Sequence, residues 1–293
     1  MMTIKVVRGV GFTLFSGLAF SGLAIAANQA AVSDEVILKQ RQALQESTKG
    51  QSVGPQSPRD IDVMFGRNLQ TFEQAPVSSS MNLCNIHFHK NAEHKGGEFT
   101  QYAGNGDGQG FQTGYVYSGQ LTQSELKPVK NGAICKGKHS ELFPGDTIEV
   151  HYVYSTAQVE PGPTLGACVV EGEPTPQLRV EAQVYVMVND DKALNFDDLT
   201  ASDVRNGFFQ AANIPSNTGN PVTYAGSTTG PNYNEKASPY QVTWNVRPKV
   251  AKVDIQSVGD WCDSDNVYEE DHAHGVRNLV INPDLLSNNA DAK

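Results

Sequence analysis

The densest group of chemically capable side chains lies in residues 84–98, CNIHFHKNAEHKGGE. This stretch holds three of the seven histidines of a 293-residue chain, together with Glu93 and Glu98. Residues i and i+2 of a β-strand point to the same face, so His87 and His89 project side by side. Two imidazoles in that arrangement can hold one metal ion. A polar strand end gives the same spacing, and a third ligand is needed to favour a metal site.

A third imidazole comes from His151, in the middle of the mostly apolar segment IEVHYV. A neutral histidine buried in a strand needs partners for its ring nitrogens. A backbone carbonyl could supply one, but together with His87 and His89 metal ligation explains His151 better. Three neutral imidazoles leave a zinc ion its full charge and one open tetrahedral position for water. That charge lowers the pKa of the bound water to about 7, which makes hydroxide available at neutral pH.

Other groups near the three histidines could support a metal site. Zn²⁺ is the expected ion, and Co²⁺ and Cd²⁺ suit the same ligands. Glu93 and Glu98 are the nearby carboxylates, and either could orient a ligand or accept a hydrogen bond from a hydroxyl group. His94 either supports the site from behind the ligands or is solvated.

The elements that must position these residues are mostly strands. Residues 33–48 predict a short helix, and a further helix is expected within 196–209. Gly-, Asn- and Pro-rich stretches, of which 214–239 is the longest, are expected to be loops. We therefore predict a mainly β single domain, built on a central, largely antiparallel β-sheet with a few short helices. Segments of period two that are rich in Val, Ile, Tyr and Thr predict strands over 82–90, 114–119, 146–156, 178–189, 240–246 and 249–258.

The amino terminus predicts export. Two basic residues precede an apolar run over 10–25, and small residues follow at the positions that signal peptidase requires. We expect cleavage between Ala26 and Ala27, which makes residues 1–26 a signal peptide and the mature protein periplasmic or secreted. The run is too short for a stable membrane anchor.

Charge and cysteine content narrow the partners and the compartment. The formal charge of −10 excludes nucleic acid as a partner, since nucleic-acid binding requires basic patches. An even set of cysteines in an oxidising compartment predicts up to two disulfides, with three pairings open. The sequence does not set the oligomeric state. The cysteines are Cys84, Cys135, Cys168 and Cys262.

Several stretches, in the same order, are similar to one family. The chain resembles the carbonic anhydrases, both the alpha-type zinc fold and, in particular, the delta class. The resemblance covers 54–283, which is expected to be the catalytic domain, preceded by a helical lead-in over 27–53 and followed by a flexible tail over 284–293. The stretches are GPQSPRDI, IHFHK, AEHK, IEVHYV, TYAGSTTGP, YQVTWNV and HGVRNLVINP.

The resemblance implies a reaction and a role for each matching residue. The reaction is the reversible hydration of CO2 to bicarbonate and a proton, with CO2 and bicarbonate as the small-molecule partners. His87, His89 and His151 match the zinc ligands. Glu93 matches the gatekeeping carboxylate, and Thr229 matches the threonine whose hydroxyl lies between that carboxylate and the zinc-bound hydroxide.

The chain departs from the family pattern in ways that leave alternatives open. Thr228 is adjacent to Thr229 and could take its role, and Glu98 could replace Glu93. No histidine precedes His87, so the usual amino-terminal proton shuttle has no counterpart. The histidines that could carry the proton instead are His139, His272 and His274.

Two other functions fit part of the pattern. A cupin-type metalloenzyme also uses H-x-H followed by a glutamate at the spacing of Glu93, but Thr100 stands where its next glycine is expected. A non-catalytic exported zinc-binding β-sandwich would keep the three histidines and need no threonine hydroxyl.

Overall fold

A computed structural model describes residues 31–130, 132–228 and 234–292. The predicted signal peptide and Thr229 lie outside these residues. None of the helices described is long and apolar enough to cross a membrane. The helices and strands are α1 (Asp34–Thr48), β1 (Asn82–Lys90), β2 (Gln101–Tyr102), β3 (Tyr115–Val116), β4 (Thr147–Ser155), β5 (Leu178–Val188), α2 (Phe196–Thr200), β6 (Ser202–Arg205), β7 (Phe208–Ala211), β8 (Val222–Ser227), β9 (Gln241–Val246), β10 (Ala251–Asp254) and α3 (Ile255–Cys262).

A central mixed sheet organises the chain. Its strand order is β1-β4-β5-β9-β8. Strand β9 pairs with the first half of β5, and β10 pairs with the second half of β5 along the same edge. The β1–β4, β4–β5 and β8–β9 pairs are antiparallel, whereas β9 and β10 run parallel to β5. This architecture confirms the predicted mainly β fold with a central sheet and few short helices.

The two faces of the sheet pack against different layers. On one face, Phe88 contacts the rings of Phe196 and Trp261, which α2 and α3 bring over the sheet. Full burial of each such aromatic side chain stabilises the fold by roughly 1.5–3 kcal/mol. The opposite face buries Val180 and Trp244, and the three histidines project from this second face.

Most predicted elements form, and three segments differ from the prediction. Residues 255–262 form α3 rather than the end of a strand, because their buried residues recur at helical spacing and the Asp254 side chain accepts the Gln256 N–H. The predicted helix within 196–209 ends at Thr200, since Asn206 and Gly207 both adopt positive φ and close a β6–β7 hairpin. Within the predicted loop, residues 222–227 form strand β8.

Both disulfides form, and they settle the pairing that the sequence left open. Cys84 bonds to Cys168, and Cys135 bonds to Cys262. A β-bulge at the start of β1 turns Cys84 towards the face that carries the histidines. Two disulfides fit an exported protein.

The segment predicted as a flexible tail, 284–293, lies against the fold over its described part. Leu285 and Leu286 are buried together with Leu44 of α1. Further along, the Asn289 N–H donates to a backbone carbonyl in the 61–66 loop. Two adjacent leucines supply the apolar area that ordering this segment requires.

Candidate metal centre

The pairing of β1 with β4 brings the three predicted ligands together. His87 lies directly opposite His151 in the antiparallel register, and His89 lies opposite Glu149. Because side chains alternate along each strand, all four project from one face of the sheet. On β5 the residue beside His151 is Ala182, whose small side chain leaves room for the imidazoles.

Hydrogen bonds fix which nitrogen of His87 and His89 carries its proton. The Nδ1–H of His87 donates to Asn85 Oδ1 at 2.7 Å, and the Nδ1–H of His89 donates to the Gly275 carbonyl oxygen at 2.8 Å. An amide oxygen and a carbonyl can only accept, so both protons lie on Nδ1. The Nε2 atoms of both rings therefore keep free lone pairs.

His151 has the opposite arrangement. Its Nε2–H donates to Glu149 Oε1 at 2.8 Å, which leaves the lone pair on Nδ1. That Nδ1 lies 3.2 Å from His87 Nε2. Two lone pairs repel each other at this distance, and a cation between them would turn the repulsion into ligation.

The donor set fits a metal ion. One ring nitrogen from each of His87, His89 and His151 lies within 4.8 Å of the other two. His89 Nε2 is buried and has no hydrogen-bond partner among the described residues. Burial lowers the pKa of His89 to about 4, and burial together with the neighbouring imidazoles lowers the pKa of His87 well below its usual value. Neutral imidazoles are the form that binds metal.

Glu149 begins a buried hydrogen-bond chain behind His151. Its Oε1 also accepts the Nδ1–H of His94 at 2.7 Å, and its Oε2 accepts the His94 backbone N–H at 3.1 Å. His94 Nε2 lies 2.6 Å from Tyr224 Oη, which donates to Ser57 Oγ at 3.0 Å. Burial opposes ionisation of Glu149, but the charge of His94 and the hydrogen bonds from His151 and His94 hold its pKa well below the usual range.

An open cavity of about 260 Å³ leads from the surface to His87 and His89. Its lining includes the apolar side chains of Phe111 and Leu165 and the imidazoles of His272 and His274. The residues that complete its lining are Asn85, Glu93, Thr164, Thr228, Glu270, Gly275 and Arg277.

The structure separates the two candidate gatekeeping carboxylates. Glu93 is buried at the cavity, where its Oε1 accepts the Arg277 backbone N–H at 3.0 Å and its Oε2 lies 4.0 Å from His151 Nε2. Glu98 is exposed and accepts the Val250 N–H at 2.9 Å, on a different edge of the fold. Thr228 lines the cavity with Glu93, whereas Thr229 is outside the described residues.

Of the three histidines that could carry the proton, two line the cavity and one does not. His274 stacks on His272, and its Nε2–H donates to Glu270 Oε2 at 2.7 Å. Burial opposes protonation of His274, but this hydrogen bond and the Glu270 charge raise its pKa. His272 is half-exposed at the cavity mouth. The ring of His139 lies 4.9 Å from the ring of Phe111, and His139 is not among the residues that line the cavity.

Several supporting residues were missed in the sequence. Asn85 and Glu149 each stand two positions before a predicted ligand on the same strand, so the period-two rule could have found them. The Gly275 carbonyl and the Arg277 N–H come from the backbone of a segment that is distant in sequence, and no local pattern indicates them.

The fold and the donor set together define a β-sheet protein with a candidate three-histidine metal centre. Residues 78–257 match the family model described as delta carbonic anhydrase. The match covers more than half of the chain, and the chain belongs to the delta carbonic anhydrase family. This membership argues against the cupin alternative, as does the position of Glu93, which is not among the clustered ligand atoms.

Individual proteins are less similar to the chain than the family model is. An alpha-carbonic anhydrase from Photobacterium profundum aligns with 85% of this chain and 95% of its own at 16% identity, with a TM-score of 0.26. No curated protein matches the chain. Family membership therefore rests on the sequence match over 78–257.

Proposed function

We propose that the chain is a zinc enzyme that reversibly hydrates CO2 to bicarbonate and a proton. The observation that carries the proposal is the convergence of three unprotonated ring nitrogens, from His87, His89 and His151, two of which belong to residues that line an open cavity. Membership of the delta carbonic anhydrase family supports the same reaction.

The three histidines would hold Zn²⁺, and Co²⁺ or Cd²⁺ could replace it on the same nitrogens. A zinc ion held by three neutral imidazoles lowers the pKa of a bound water to about 7 and so supplies hydroxide at neutral pH. The residues behind the ligands fix their orientation: Asn85, Glu149 and the Gly275 carbonyl each hold the far nitrogen of one ring.

Glu93 is the proposed gatekeeping carboxylate. Its Oε1 is held by the Arg277 backbone N–H, which fixes the carboxylate and leaves Oε2 to accept a hydrogen bond from a hydroxyl group. The hydroxyl belongs to Thr229 or to Thr228. A threonine that donates to a fixed carboxylate must accept from its other neighbour, and this orients a reacting oxygen towards the substrate.

Two apolar side chains in the cavity lining suit CO2. Leu165 and Phe111 offer a surface that needs no hydrogen bond from the substrate. His272 and His274 stack on each other in the same lining, and His272 is half-exposed, so we assign the outward passage of the proton to this pair. With the predicted signal peptide removed, the enzyme would act in the periplasm or outside the cell.

The test is stopped-flow CO2 hydration by the purified chain, with bound zinc quantified in the same samples. We expect about one zinc per chain and an activity that follows zinc content. His151→Ala should lose both, whereas His139→Ala removes an imidazole outside the cavity and should keep its zinc. Stoichiometric zinc without CO2 turnover would overturn the proposed reaction and favour a non-catalytic zinc-binding protein.

A second pair of variants tests the hydroxyl. Whichever of Thr228→Val and Thr229→Val removes the proposed donor to Glu93 should lower kcat/KM by about 10²-fold, comparable with the loss of one transition-state hydrogen bond. The other variant should stay near the wild-type rate. If both variants keep wild-type rates, neither threonine orients the reacting oxygen.

A further inference from the structure

Three segments that are distant in sequence meet behind the cavity. They are α1, the glycine loop (residues 104–114) and the closing segment (residues 274–279). We infer that Gln40 of α1 is a positioning residue for the metal centre, because it ties the glycine loop and the closing segment together. The inference rests on the proposed metal site and extends the machinery to a helix outside the residues that match the family model.

The closing segment supplies two of the contacts that orient the site. The Gly275 carbonyl accepts the His89 Nδ1–H at 2.8 Å, and the Arg277 N–H donates to Glu93 Oε1 at 3.0 Å. Both contacts are made by backbone atoms. No side chain at positions 275 and 277 makes either contact, so the path of the segment decides where the two atoms lie.

Backbone hydrogen bonds tie His274 to β1 and Val276 to the glycine loop, and Gln40 adds a side-chain contact that holds the segment from α1. This side chain is buried, and both ends of its amide are bonded across the chain. Its Nε2–H donates to the Gly108 carbonyl at 2.8 Å, and its Oε1 accepts from Asn278 Nδ2. Asn278 is three residues after Gly275, so the Gln40 amide binds the closing segment three residues from the carbonyl that accepts the His89 N–H.

The glycine loop completes the connection. The Val276 N–H donates to the Gly110 carbonyl at 2.7 Å, and a side chain at position 110 would place its Cβ 2.6 Å from the Val276 oxygen. This close approach requires glycine. The next residue, Phe111, lines the cavity. Gln40 therefore contacts both the loop that forms one wall and the segment that orients His89.

The distances show why this contact bears on the metal site. The His89 bond to Gly275 is 2.8 Å long, and a shift of the closing segment by less than about 1 Å would take it beyond hydrogen-bond range. His89 could then rotate or change the nitrogen that carries its proton. Loss of a group that holds a metal-bound histidine typically weakens metal binding by about 10–100-fold. Gln40 acts one contact further away, so we expect a smaller effect, about threefold to tenfold.

The experiment measures Co²⁺ binding to the metal-free chain by the visible absorption of the cobalt complex. The variants are Gln40→Met, which keeps the length of the side chain, Asn278→Ala, and the two combined. The matched control is Gln42→Met, the same substitution at an exposed position of α1. Thermal unfolding is followed for each variant, so that cobalt affinity is compared only where the chain is folded.

We expect Gln40→Met and Asn278→Ala each to raise the Kd for Co²⁺ about threefold to tenfold and to alter the absorption of the complex. The combined variant should be little worse than either single variant, because the two residues act through one contact. A purely structural role would lower the unfolding temperature and leave both the Kd and the spectrum of the folded protein unchanged.

The outcomes separate this inference from the proposed function. A cobalt Kd for Gln40→Met within twofold of that for Gln42→Met overturns the positioning role and leaves the metal site intact. If Gln40→Met does not fold, Asn278→Ala carries the same comparison. A wild-type chain that binds no cobalt overturns the metal site and this inference together. Absence of CO2 turnover with normal cobalt binding overturns only the proposed reaction.

Discussion

Replacement of Glu149 by glutamine tests whether a buried carboxylate sets the metal-binding nitrogen of His151. Glu149 accepts three hydrogen bonds: the ring N–H groups of His151 and His94 on Oε1, and the His94 backbone N–H on Oε2. Glutamine has nearly the same shape but only one acceptor oxygen. In either orientation its NH2 group faces at least one of these donors.

The magnitude follows from the donor that is left without an acceptor. A buried unpaired donor costs roughly 1–3 kcal/mol of folding stability. His151 can avoid this cost by moving its proton from Nε2 to Nδ1, but Nδ1 is the nitrogen that faces His87 and the proposed metal. The proton would then have to be displaced for the metal to bind. We expect Glu149→Gln to weaken zinc binding by about 10–100-fold.

The assay is competition for zinc with a chromophoric chelator at neutral pH. The matched control is Glu181→Gln, which replaces a partly buried carboxylate of the central sheet, on the face away from the histidines. We expect the control to keep its zinc affinity. A zinc Kd for Glu149→Gln within twofold of the wild-type value would refute the reasoning, because it would show that His151 keeps its tautomer without the carboxylate.

Three further results are expected. Replacement of Cys84 and Cys168 by serine opens a disulfide that spans 84 residues and should lower the free energy of unfolding by about 2–4 kcal/mol; an unchanged urea midpoint would contradict this. The hydrogen bond from Lys252 lowers the pKa of Glu125 to about 2, so its stabilising effect is complete above the unfolded-state pKa of about 4.3 and is lost as the pH falls towards 2. Glu125→Gln should therefore lower the urea midpoint at pH 6 more than at pH 2.5. Equal decreases at the two pH values would show that the hydrogen bond between Lys252 and Glu125 does not stabilise the fold. Zinc at about 100 times its Kd should stabilise the metal-free chain by about 2.7 kcal/mol in thermal unfolding, with no shift in His151→Ala.

The sequence predicted those parts of the site that follow from the alternation of side chains along a β-strand. His87 and His89 lie two positions apart on β1, and alternation alone places them on one face. The position of His151 in a mostly apolar segment, and later the family resemblance, indicated it as a third ligand, but the sequence did not predict the β1–β4 register that brings it to His87. The structure supplies it by pairing His87 directly with His151.

Other features could not be predicted because they depend on tertiary contacts. The sequence predicts a loop at β8 because the surrounding stretch is rich in Gly, Asn and Pro, and Tyr224 is the only large side chain that the strand buries fully. Its β structure comes from pairing with β9. Our proposal of Glu93 rather than Glu98 likewise rests on a tertiary contact, the hydrogen bond from the Arg277 N–H, which comes from a segment almost two hundred residues further along the chain.

The β-bulge in β1 has a consequence for how relatives of this chain can be recognised. Without it, Cys84 would share the face of Ile86 and Phe88 and point away from Cys168. The bulge shifts the alternation by one residue, so a cysteine at an odd offset, three positions before the first ligand, reaches the same face as the histidines. The spacing C-x-x-H-x-H therefore encodes a bulge. In a relative whose cysteine stands two or four positions before the first histidine, the same crosslink would be compatible with a regular strand.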